Sequence, residues 1–305
     1  MTNLADLLTV LDEKVKEEFA SMPDVEDRDD LDVEQLPKQT RKWLRLQDVV
    51  AVVCDLKGST GLSTGKNARS TASIYEAATG NAVKVFHEFE ADFIAIQGDG
   101  AFALFWGDRR NERAVCAGIT VKTFSRDSLV ERLKDRWPTS DTGFKVAIAN
   151  GRVLAKTIGT PRTPAEQEAI WAGNPVNFAA KAAQQADVHQ LVVTAGVWDA
   201  IGKNHYLAYS CDCGGTPARL WSEFQIDKIP EDHLDREGMA LNVAWCKTCG
   251  PEFCKAVLDG KVQRDTVDEA IRAGQVERYK LALAQKQEQA RQQRAARQRG
   301  LNGAR

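Results

Sequence analysis

The run Val49-Val-Ala-Val-Val-Cys54 ends on Asp55 and passes at once into Leu56-Lys57-Gly58-Ser59-Thr60. Six consecutive apolar residues, mostly β-branched, suit a strand buried on both faces. A carboxylate at the end of such a strand sits on a rigid element at the rim of a sheet, where a metal ion can reach it. Gly58 lets backbone N–H groups approach an anion, and Ser59 and Thr60 can cap a helix that begins there. The layout reads as a metal-and-phosphate site, or more plainly as helix capping.

A second stretch carries the same signal. Residues Asp92–Phe105 read as two short apolar strands meeting at Gly98-Asp99-Gly100. An Asp between glycines is a good hairpin turn, and that alone accounts for it. If the tip lies beside the first strand, it also brings Asp99 next to Asp55. Two carboxylates on adjacent strands offer the hard oxygen ligands that Mg²⁺ or Mn²⁺ prefers, and two-ion phosphoryl or nucleotidyl chemistry becomes available.

A chain of 305 residues with 43% hydrophobic content can bury a sizeable core, as one large domain with extensions or two modest ones. A net charge of −2 gives no general argument for nucleic acid or a membrane surface. The apolar runs are too short to span a bilayer, and Asp6, Asp12 and Glu13 stand where a signal peptide is apolar. The expectation is a cytoplasmic protein with reduced cysteines.

Taken in order, residues 3–20 have helical spacing, with Leu4, Leu7, Leu8, Leu11 and Val15 on one face. This segment reads equally as a solvated arm or a docking helix, and the acidic stretch Asp24–Glu34 reads as a linker. A long amphipathic helix over 67–90 follows the first strand, and a second runs from about Arg109 to Lys134. Two strands, Phe144–Ala149 and Val153–Ile158, flank Asn150-Gly151, a strong hairpin signal. The order β-α-β-β-α-β predicts an α+β, ferredoxin-like sheet. Pro161–Glu168 reads as a polar loop, and Trp171–Gln185 enters a small-residue helix. A strand at Leu191–Val193, a helix at Ala195–Ile201 and a last strand at Leu220–Ile226 complete the expected domain.

Together, D-L-K-G-S-T at Asp55, I-Q-G-D-G at Asp99, A-I-A-N-G-R-V and W-A-G-N-P-V-N-F-A-A-K resemble the class III nucleotide cyclases, over roughly residues 45–227. The resemblance implies the fold of a class III cyclase catalytic domain and a homodimer with shared sites. It implies that Asp55 and Asp99, with the Leu56 backbone, hold two divalent ions (Mn²⁺ or Mg²⁺), and that the loop with Gly58, Ser59 and Thr60 cradles the phosphates of a nucleoside triphosphate. It gives Asn177 the ribose and Lys181 the transition-state charge. Three positions depart from the family pattern. Lys181 stands where the family has Arg, which keeps the charge but loses the planar fork. Ala95 stands where adenylyl cyclases have Lys and guanylyl cyclases Glu, and Ile170, beside Trp171, where Asp or Thr is common. In this the chain is similar to the bacterial pyrimidine cyclases of Pycsar anti-phage systems, which make cyclic UMP or cyclic CMP for a separate effector. A base pocket of Ala95, Ile170 and Trp171 follows from the resemblance; Trp171 as a plain core residue is the other reading. UTP leads CTP on family frequency. An adenylyl or guanylyl cyclase reading its base by other contacts, and a degenerate nucleotide-binding domain, are the alternatives.

Of seven cysteines, Cys54 and Cys116 lie on apolar elements. Cys211-x-Cys213 and Cys246-x-x-Cys249 read as a structural Zn²⁺ site or as ordinary thiols, with His233 and Cys254 as reserve ligands. The resulting division is an arm and linker over 1–40, a cyclase domain over 41–230, a cysteine-containing segment over 231–260 and a basic tail over 261–305. The tail carries Arg291, Arg294, Arg297 and Arg299, which suit a partner or nucleic acid, or more simply a solvated helix. No membrane contact is expected, and the strands lack the stacking aromatics of an RNA-binding sheet.

Overall fold

Strand β2, Lys42–Leu56, lies at the centre of the fold, hydrogen-bonded antiparallel to β4 (Gly100–Phe105) on one side and β5 (Phe144–Gly159) on the other. The computed structural model describes residues 3–58, 67–138 and 142–302. Alternation along β2 feeds two separate cores. Val50, Val52, Cys54 and Leu56 point into one, and Val49 and Ala51 into the other; none of the six is more than 2% exposed. Burial on both faces explains the unbroken apolar run, and each large side chain so placed contributes about 1.5–3 kcal/mol.

The first core lies under α2 (Ala68–Tyr75) and α3 (Asn81–Glu88), joined by a π-helical turn at Glu76–Gly80, and under α4 (Arg110–Phe124) and α5 (Val130–Arg136). The second lies under α6 (Asn174–Gln185). With β3 (Phe93–Gln97), the order from β2 to β5 is the expected split β-α-β-β-α-β, and the sheet runs β3-β4-β2-β5. It continues through β7 (Leu191–Val193) and β9 (Glu237–Leu241) to β8 (Trp221–Gln225). The sheet therefore runs past residue 230, where the sequence reading ends the cyclase domain.

Three local expectations are corrected. Asn150-Gly151 is not a hairpin: β5 is continuous over 16 residues. Because β2 is itself 15 residues long, it offers pairing partners on both sides of Gly151. The register shifts between Leu46 and Val49, so Gln47 and Asp48 oppose Arg152 alone, a β-bulge that bends both strands. Gly151 takes φ 145° there, and Pro175 covers it where a side chain would stand. The acidic linker contains a strand, β1 (Asp24–Asp27), parallel to the start of β2 and held by Arg45 on both oxygens of Asp27 at 2.5 Å. The polar loop gives way at Gln167 to β6 (Gln167–Ala172), which places Trp171 on a strand beside β5. Strand β9 has no counterpart in the sequence reading at all.

Helix α1, Leu4–Phe19, buries none of its residues. At the other end, α10 (Asp265–Asn302) follows the short helices α7 (Ala195–Ile201), α8 (His205–Ala208) and α9 (Gly250–Leu258). Among the described residues no helix is long and apolar enough to cross a membrane.

Candidate functional site

Asp55 is the last polar residue of β2, with its side chain 40% exposed, open enough for an ion to reach. Asp99 stands in the turn between β3 and β4. The first residue of β4, Gly100, lies so close to β2 that a Cβ there would stand 2.5 Å from the Cys54 carbonyl oxygen and 3.5 Å from the Asp55 Cα. Only glycine permits that approach, and it seats the hairpin tip beside Asp55. The Thr79 hydroxyl, in the π-helical turn, donates to the Asp99 carbonyl oxygen at 3.1 Å. A widened helical turn at such a point is a common feature of functional sites. Both carboxylates act on one thiol: burial pushes Cys54 up to about 12, and the charges of Asp55 and Asp99 each add to the rise.

Lys145 was missed in the sequence reading. It stands directly across from Asp55 on β5, mostly buried, with its Nζ 3.0 Å from the Asp55 Oδ2. A lone cation inside the apolar run Phe144–Ala149 was the available signal. Beyond Asp55, Leu56 is buried opposite Phe144, and the Lys57 N–H donates to the Gly143 carbonyl at 3.0 Å. Gly58 takes φ 71° as the chain turns away. Ser59 and Thr60 lie outside the described residues.

Asn177 and Lys181 share the outer face of α6, one turn apart. They line a cleft of about 610 Å³ with Phe178, Pro230 and His233. His233 packs edge-on to Phe178 at 4.7 Å and meets the Asn174 amide at 3.4 Å, so it serves this cleft and no cysteine. Lys181 holds its Nζ 5.9 Å from the centre of the Phe178 ring. Among the described residues no hydrogen bond or ion pair joins Asn177 or Lys181 to Asp55 or Asp99. The helix starts over Gly151, while Asp55 pairs with Lys145 six positions away, about 20 Å along one strand.

The three expected base-pocket residues divide between two faces. Trp171 is 7% exposed and packs against Phe93 at 5.0 Å and Trp106 at 5.6 Å. Ala95 shares the Phe93 face of β3 and packs on the same cluster. Ile170, next to Trp171 on β6, points the other way and is 41% exposed. The Trp171 indole nitrogen is buried without a hydrogen-bond partner among the described residues.

No family model matches the chain. A uridylate cyclase of Micromonospora echinofusca is 51% identical over 302 residues, 98% of this chain and 99% of the relative. One of Propioniciclava tarda is 50% identical over 287 residues, 92% of each. Among solved structures, the adenylyl cyclase CyaB from P. aeruginosa superposes with a TM-score of 0.53 at 14% identity, covering 67% of this chain and 96% of that one. The guanylyl cyclase Cya2 gives a TM-score of 0.51 at 17% identity, covering 67% and 95%. The fold is that of a class III cyclase catalytic domain.

Proposed function

The chain belongs to the uridylate cyclase family, and we propose that it converts UTP to 3′,5′-cyclic UMP and pyrophosphate. The observation that supports the chemistry is the close seat of Gly100 on the Cys54–Asp55 backbone, which brings the turn that carries Asp99 up against the end of β2. UTP rather than CTP rests on the names of the two relatives.

Asp55 and Asp99, with the Leu56 carbonyl, would hold two divalent ions, Mn²⁺ or Mg²⁺, for which carboxylate oxygens at a half-exposed strand end are suitable ligands. Bound there, the ions supply Lewis-acid stabilisation of charge on the phosphate oxygens and lower the pKa of the ribose hydroxyl. The 3′-oxygen forms its bond to the α-phosphorus in line. The bridging bond to the β-phosphate breaks, pyrophosphate leaves and the hydroxyl proton passes to solvent. Gly58 opens the following loop to the phosphates, Asn177 orients the ribose, and Lys181 sets its ammonium against the charge that develops on the phosphoryl group. Because Asn177 and Lys181 line a separate cleft, a whole site needs the carboxylate edge of one chain and the α6 cleft of a second, in a head-to-tail homodimer.

Ala95 and Ile170 carry no polar side-chain atom for a purine edge, and Trp171 offers its indole N–H alone. A purine edge buried against Ala95 would leave groups unpaired at about 1–3 kcal/mol each. The smaller pyrimidine avoids much of that cost. Its cyclic product passes as a second messenger to a separate effector in anti-phage defence, a role supported by the Pycsar resemblance.

The test is incubation with equimolar ATP, GTP, CTP and UTP and Mn²⁺, with products resolved by mass. Cyclic UMP should dominate, and Asp55→Ala and Asp99→Ala should each abolish pyrophosphate release in a folded protein. Cyclic AMP or cyclic GMP as the main product would overturn the base assignment. Full turnover in either Asp variant would overturn the carboxylate site.

A further inference from the structure

Cys211 stands at the start of a short turn after α8 and Cys213 within it, and Cys246 and Cys249 lie on the turn that leads into α9. Thirty-two residues separate the pairs, a span that contains β8 and β9. The two antiparallel strands return the chain on itself. The four sulfur atoms lie within 4.8 Å of one another, and the Cys213 and Cys249 sulfurs are 3.7 Å apart. Zn–S bonds of about 2.3 Å in a tetrahedron put sulfurs about 3.8 Å apart, which is the spacing seen for that pair.

We infer that Cys211, Cys213, Cys246 and Cys249 bind one Zn²⁺ per chain, which ties the turn after α8 to the root of α9 and α10.

Four thiolates in a closed set leave no position for substrate, which marks a structural site rather than a catalytic one. The Gly250 N–H donates to the Cys246 carbonyl oxygen at 2.8 Å, closing the turn that carries the second pair. Arg264 anchors the turn that carries the first pair. Its side chain is 6% exposed and donates to Asp212, between the first two ligands, at 3.0 Å. The same guanidinium donates to the Ser210 carbonyl at 2.9 Å and lies 4.5 Å from the centre of the Phe253 ring. Asp265, the next residue, begins the 38-residue helix α10. The metal would thus hold the base from which that helix projects. Neither reserve ligand joins the set. His233 lines the Asn177 cleft, and Cys254 faces the buried Cys116, where the Cys254 thiol and burial together push Cys116 well above its usual value.

Elemental analysis of the full chain, purified without added metal or chelator, should give close to one zinc per chain. Cys213→Ser and Cys249→Ser should each lose most of it, and Cys254→Ser should keep it. Since a ligand variant can misfold, exchange of the unmodified chain with Co²⁺ provides a second readout and should produce the intense visible bands of tetrahedral cobalt thiolate. Substoichiometric zinc with all four thiols titrating freely in the folded protein would overturn the assignment. So would iron in place of zinc, or zinc content unaffected by the ligand substitutions.

Discussion

Lys145 forms a close charge contact at the candidate site, 3.0 Å from Asp55. Its ammonium sits on the Asp55 Oδ2, an oxygen that a divalent ion bound by this carboxylate would also draw on, so the two would compete. Asp55 is 40% exposed, and solvent screens the pair to the scale of a surface ion pair, about 0.2–1 kcal/mol. Lys145→Met should therefore lower the Mn²⁺ concentration that gives half-maximal turnover, by up to about fivefold. A metal titration that moved the other way would show that Lys145 serves the phosphates instead. Lys122 is a different kind of cation: it lies under the fold and donates to the Val243 carbonyl, and burial, with help from Arg126, pulls it down to about 7. It belongs to packing.

At the scale of an element, the hairpin β3–β4 has one demanding contact. A methyl group at Gly100 would stand 2.5 Å from the backbone oxygen of Cys54, and backbone cannot swing aside as a side chain can. Gly100→Ala should cost about 1–3 kcal/mol of stability as an overpacked site. Turnover should fall further than that loss explains, because a carboxylate displaced by about 1 Å can cost about a hundredfold in rate. Thermal melting and kcat measured on the same preparation check this. A destabilised variant with unchanged kcat would mean that Asp99 works independently of its distance from β2. The π-helical turn supports the same tip from behind through Thr79.

For the molecule as a whole, the carboxylate edge and the Asn177 cleft lie apart on one chain, and a symmetric pair can bring each to the other's complement. Neither an Asp55→Ala chain nor an Asn177→Ala chain should be active alone. Mixed in equal amounts with exchange of subunits, about half the dimers are mixed and each has one whole site, so about a quarter of the full rate should return. No recovery under conditions that demonstrably exchange subunits would place the whole site within one chain. The apolar face of α1 is exposed among the described residues as well, from Leu7 at 42% to Phe19 at 85%.

Features that depend on local pattern were legible in the amino-acid order. The run Val49–Cys54 specified a strand buried on both faces, Gly98-Asp99-Gly100 a hairpin, and the order of elements a split β-α-β-β-α-β sheet. Burial periodicity and turn chemistry are properties of neighbouring residues, so they can be read without the rest of the chain. Pairing is not such a property. Whether Asn150-Gly151 turns or only bends depended on the length of β2, which supplied partners to both halves of β5. Strands β6 and β9 are short, and became strands because β5 and β7 offered open edges. Lys145 meets Asp55 through a register that no window of sequence contains. The two cysteine pairs were visible as pairs, but only the return of the chain through β8 and β9 brought four sulfurs within 4.8 Å. Contacts between distant segments are chosen by which surfaces remain uncovered once the local elements have formed, and that choice is made in three dimensions.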